Sequence, residues 1–102
     1  MKISSDNPKE TIQKSRPHLK DNTVKQYELH LNKLKKLFDS TDFDFLSKPD
    51  DVMEKISSNH YTSQRNTLNA VIILLHALNS DEKYNDLIED YQKRRDIFNQ
   101  QY

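Results

Sequence analysis

The chain has 102 residues, 33% of them apolar and 31% charged, with 16 basic and 16 acidic side chains that cancel to a formal net charge of zero. Glycine and cysteine are both absent, which excludes P-loops, dinucleotide-binding turns and nucleophile elbows, and with them disulfides, thiol catalysis and cysteine-ligated zinc. The length suits a single modest core. No apolar run approaches the roughly 18–20 residues of a membrane span, and MKISSDNPKE lacks the apolar region of a signal peptide, so a soluble, intracellular domain without a membrane partner is expected.

Residues 1–15 read as a polar segment carrying one short helix. Met1 to Asp6 is expected to fray, and Asn7 with Pro8 supplies an N-cap and first helical residue for a turn through Lys14. Pro17 makes Arg16 extended and ends that element. Lys14, Arg16, His18 and Lys20 then form either a plain linker or a basic arm. A second helix opens at Asp21 or Asn22 and runs to Phe38, because Val24, Tyr27, Leu31, Leu34 and Phe38 share about a quarter of its circumference. Its far side carries Lys25, Asn32, Lys33 and Lys36, with Leu29 among them.

DSTDFDFLSK is too short and acidic for a strand, so Phe43, Phe45 and Leu46 are expected to anchor a loop over the core. Pro49 followed by Asp50 and Asp51 starts a short helix that ends near Ser57, with Asn59 taking the left-handed turn that glycine would otherwise fill. The stretch from Tyr61 to Asn79 is the only long apolar run, and everything else must pack around it. Leu68, Val71, Ile72, Leu75 and Leu78 recur at helical spacing, whereas the first turns, capped by Thr62 or Ser63, are polar and offered to a partner. After Asn79, Ser80 or Asp81 caps a last helix with Tyr84, Leu87, Ile88, Tyr91 and Phe98 on one side. In that helix Lys93, Arg94 and Arg95 favour the dipole. The end at Gln100, Gln101 and Tyr102 reads as a domain boundary in a longer protein.

Nothing reads as an active site. His18, His30, His60 and His76 lack metal-site spacing, His76 fits a core edge with a hydrogen-bonded ring nitrogen, and Tyr102 has no neighbouring base. No cofactor or metal is expected.

Charge is segregated along the chain. Residues 14–36 hold seven basic side chains against two acidic, residues 39–54 six acidic against one basic, and residues 81–102 six acidic against four basic. Residues 55–79 carry Lys55 and Arg65 unopposed. Side by side, the two basic helices would make a positive face on a neutral protein.

Read together, those helices resemble a known family. LKDNTVKQYELHLNKL (residues 19–34) resembles the opening helix of the core-binding domain of tyrosine recombinases and phage integrases, in which an N-T pair, here Asn22 and Thr23, precedes an aromatic, here Tyr27. YTSQRNTLNAVIILLHAL (residues 61–78) resembles that family's later helix. The likeness covers roughly residues 16–79, Lys20 stands where a serine cap is usual, and the asparagine- and lysine-rich wording is also similar to versions in large DNA viruses of protists.

The resemblance implies an all-α, SAM-like bundle of four to five helices over residues 16–102. It would grip double-stranded DNA, while a separate C-terminal domain supplies the arginines, histidine and tyrosine nucleophile. That catalytic set is missing from this chain, so it is not expected to act as an enzyme alone. The DNA-facing set is then Arg16, Lys20, Thr23, Lys25, Asn32, Lys33, Lys36, Ser63, Arg65, Asn66 and Asn69, the lysines positioning the duplex and Arg65 adding specificity. The expected partners are duplex DNA, the catalytic domain of the longer parent and further copies assembled on DNA. The competing reading is a helical protein–protein interaction module that works through its acidic segments and the aromatic stripe of the last helix; RNA binding ranks lower, for want of exposed aromatics.

Overall fold

A computed structural model describes residues 3–5, 7–79 and 82–100. The first helix, α1 (Pro8–Ser15), forms as its sequence dictates: Asn7 Oδ1 accepts the Glu10 N–H, and the turn stops ahead of Pro17. Ahead of it, Ile3 and Ser4 are held in place and not frayed. Ile3 is fully buried, donates its N–H to Asp44 Oδ1 at 2.6 Å, and accepts from the Phe43 N–H at 3.1 Å. Ser4 hydroxyl also donates to the Asp42 carboxylate. With Ile12, Ile3 joins the one core cluster.

α2 (Asp21–Leu37) begins one residue before the expected caps, at Lys20, which makes no side-chain cap bond. Asp21 acts instead inside the first turn, pairing with Lys25 at 3.2 Å and Lys9 at 3.4 Å, where negative charge suits the helix dipole. The far end closes without glycine. Ser40 N–H donates to Lys35 C=O and Asp39 N–H to Lys36 C=O, at 2.9 and 3.1 Å, the paired bonds of a Schellman turn. Asp39 takes its left-handed position at φ 49.

A 3-10 turn (Asp44–Ser47) then lays Phe43 and Leu46 into the core and stacks Phe45 on Phe38 with ring centroids 4.4 Å apart, as expected of a loop anchor. α3 (Pro49–Ile56) follows. Asn59 does not take a left-handed turn; among the described residues only Asp39 and Glu82 have positive φ.

α4 (Tyr61–Leu78) is capped not by Thr62 or Ser63 but by His60, whose Nδ1 accepts the Thr62 N–H at 3.2 Å. It packs against α1, α2 and the last helix, α5 (Asn85–Asn99). Leu68, Val71, Ile72 and Leu75 are buried with Leu31 and Leu34, and Tyr27 lies half-buried against them. The expected α5 caps, Ser80 and Asp81, lie outside the described residues, as does Tyr102; the helix starts at Asn85, after Glu82 turns at φ 61 and Asn79 Oδ1 accepts the Tyr84 N–H at 2.8 Å. The cap residue Tyr84 is buried together with Ile88 and Tyr91 of α5, and Tyr91 Oη donates to Leu46 C=O at 2.6 Å.

The result is an all-α bundle of five helices, with no strand among the described residues. None of the described helices is long and apolar enough to cross a membrane.

Candidate nucleic-acid interface

α2 and α4 run antiparallel along a shared seam. At its middle, Thr67 Oγ1 lies 3.2 Å from His30 Nδ1. Towards the N-terminus of α2, a cleft of about 270 Å³ is lined by Thr23, Gln26, Tyr27, His30, Asn66 and Asn69. Towards its C-terminus, a second cleft of about 400 Å³ is lined by His30, Lys33 and Lys36 together with Ser63, Asn59 and Thr67, over a floor of Leu34, Leu37 and Ile56. Among the described residues no carboxylate lines either cleft. Among the described residues, Lys33 and Lys36 have no acidic partner.

Six of the eleven residues expected at the interface, Thr23, Lys33, Lys36, Ser63, Asn66 and Asn69, thus line adjoining clefts. Arg65 is half-buried one turn before Asn69 and shares its side of α4. The remaining four lie elsewhere. Lys25 is exposed but ion-paired with Asp21, and it sits about 140° round the helix from His30. Asn32, across α2 from His30, lines a shallow groove with Leu29, Lys35 and Asp39 that the far flanks of Lys33 and Lys36 also border. Lys20 is exposed at the start of α2. Arg16, half-buried after α1, lies close enough to His76 for its charge to join partial burial in lowering that ring's pKa, which puts it near the C-terminal end of α4, away from Ser63.

The first turns of α4 are less open than their polarity suggests. Residues 61–66 are all half-buried. The Gln64 amide donates back to the Asn59 carbonyl at 2.7 Å and, more weakly, to that of Ser57 at 3.5 Å. What α4 offers is a side strip, not a free end. Asn69 Oδ1 accepts from Arg95 of α5 at 3.4 Å, so the strip lies between α2 and α5.

Sequence reading missed the residue at the centre of the seam. The half-buried, hydrogen-bonded ring expected of His76 belongs to His30, while His76 is exposed. Burial first, and then the Lys33 charge, pull the His30 pKa below the usual histidine value. A signal was present: His30 sits one turn after Tyr27 and one turn before Lys33, at the border of the apolar stripe.

No protein-family model matches the chain, and neither a curated protein nor a solved structure matches it.

Proposed function

We propose that this chain is a duplex-DNA-binding domain of the kind found as the core-binding domain of tyrosine recombinases, using the α2–α4 seam against the phosphate backbone. The observation that carries this reading is the seam itself: Lys33 and Lys36 share one cleft with Ser63, while Asn66 and Asn69 line the adjoining one across His30, and no carboxylate among the described residues lines either. Lysines without acidic partners can neutralise phosphates and so release the counterions condensed on the duplex, and asparagine amides suit base edges. In this reading the chain binds without reacting, and strand cleavage belongs to a C-terminal domain of a longer, intracellular parent that assembles in several copies on DNA. Lys25 and Asn32 then serve at the edge of the interface at most.

The competing interaction-module reading is weakened by where its surfaces go. Tyr84, which caps α5, and Tyr91 within it are buried, and Asp50 and Asp90 are both engaged by Arg94.

Fluorescence anisotropy of labelled duplexes across a salt series tests the reading. Affinity should fall steeply as salt rises, and Lys33→Ala with Lys36→Ala should weaken all duplexes alike while flattening the log–log slope by about 2. Arg65→Ala should instead narrow the gap between a selected site and random DNA. Absence of duplex binding at low salt, or binding indifferent to salt, sinks the proposal.

A further inference from the structure

The hydrogen bonds around Thr67 fix the state of His30. Thr67 has one hydroxyl hydrogen, and it is given to the Ser63 carbonyl at 2.9 Å, since a carbonyl can only accept. Thr67 Oγ1 must therefore accept from His30, so Nδ1 carries the ring hydrogen and Nε2 the lone pair. Among the described residues Nε2 has no hydrogen-bond partner and is not buried. The ring is thus held from one side and open on the other, in both clefts at once.

We propose that His30, with Lys33 and Asn66, forms a phosphate-binding site at the middle of the seam, in which the ring binds a backbone phosphate as an imidazolium through Nε2–H, so that duplex binding takes up a proton. This rests on the DNA reading above for its ligand, while the site itself is defined by the ring and its neighbours. The charged groups around the ring all favour it. From α2 it faces Lys33 and, at the end of the cleft, Lys36; α4 contributes only neutral side chains, and α3 contributes Ile56. From α5, Arg95 reaches Asn69 on the far side of the strip. In the free protein partial burial, and after it the Lys33 charge, hold the ring's pKa below the usual histidine value. A phosphate placed there reverses the balance: the anion stabilises the imidazolium, the pKa rises on binding, and the added N–H makes a charge-assisted bond. Nothing has to move, because Thr67 already holds the ring in the tautomer that leaves Nε2 free to accept the proton.

The sign follows from linkage. A ring that is neutral when free and protonated when bound strengthens binding as pH falls through the bound-state pKa, with the gain complete below the free-state pKa. A rise of about one unit on binding corresponds to roughly tenfold in affinity. Duplex affinity at fixed low salt should therefore increase as pH is lowered from 8 to 5.5, and calorimetry in two buffers of different ionisation enthalpy should report uptake approaching one proton. His30→Gln should flatten the pH profile, whereas His60→Gln and His76→Gln should keep it. On the unmodified chain, an NMR titration of the His30 ring nitrogens should show its midpoint moving up when inorganic phosphate or duplex is added. Salt-dependent duplex binding whose pH profile survives His30→Gln overturns the site and leaves the DNA reading standing. The opposite result, a phosphate-induced upward shift at His30 with no duplex binding, retains the site and overturns the DNA reading. A midpoint unmoved by phosphate and by duplex alike overturns the site even if the variant fails to fold.

Discussion

The α2–α4 seam and the α3–α5 face are both rich in charge, and they use it in opposite ways. On the α3–α5 face one arginine joins two carboxylates: Arg94 reaches Asp90 on its own helix at 2.7 Å and Asp50 on α3 at 2.8 Å. Nearby, Lys93 pairs with Glu89 at 3.2 Å. In the seam, Lys33 and Lys36 face amides, hydroxyls and apolar floor; Asp39 borders the groove on their other side, yet among the described residues neither lysine is ion-paired. Lys35, between them in sequence, and Lys55 of α3 are also occupied, lying 5.0 and 5.7 Å from the Phe43 and Phe38 ring centroids. A zero net charge therefore says nothing about binding. What matters is which charges have already found partners inside the fold.

Four variants bear on that contrast, in descending order of expected effect on stability. Leu75→Ala removes a fully buried side chain from α4, the helix both regions depend on, and should cost about 2–5 kcal/mol in denaturant melts. A loss under roughly 1 kcal/mol would mean that α4 is not the centre. Tyr91→Phe leaves the Leu46 carbonyl without its buried donor and should cost about 1–3 kcal/mol without touching duplex affinity. Arg94→Ala should cost only about 1 kcal/mol, because its Asp50 partner is 92% exposed and screened by water. Weakened duplex binding by that variant would show that the α3–α5 face takes part after all. Lys33→Ala with Lys36→Ala should change stability by less than about 0.5 kcal/mol. A marked loss of stability there would reveal that the seam lysines hold the fold together and would erase the contrast.

Much of the fold was legible because it follows from local rules. Asn7–Pro8 and Pro49 announce helix starts, and the Val24–Tyr27–Leu31–Leu34 stripe and the Leu68–Leu75 run each point one way. What escaped was set by partners distant in sequence. Ile3 looks like one apolar residue in a polar tail until Phe43 and Asp44 are seen to hold it. The left-handed corners fell at Asp39 and Glu82, not at Asn59, because a Schellman closure is decided by where α2 stops packing. In the candidate interface, the helical wheel correctly turned Lys25 and Asn32 away from the core. It could not tell that α4 lies on the Lys33 side, nor that Asp21 claims Lys25. His30 was passed over because its worth depends on Thr67, 37 residues away.

The tie between Ile3 and the turn that precedes α3 also sets an order in time. Ile3 finds its hydrogen-bond partner 41 residues downstream, which at about 5–20 residues per second is a wait of roughly 2–8 s during synthesis. Ile12 of α1 has longer to wait for α4. The early apolar side chains therefore leave the ribosome well before anything can cover them. Leu46 likewise awaits the Tyr91 hydroxyl, 45 residues further on. Because each early piece is completed by a later one, the nascent chain has no self-sufficient half, and folding should come as one late, cooperative event after α5 has emerged.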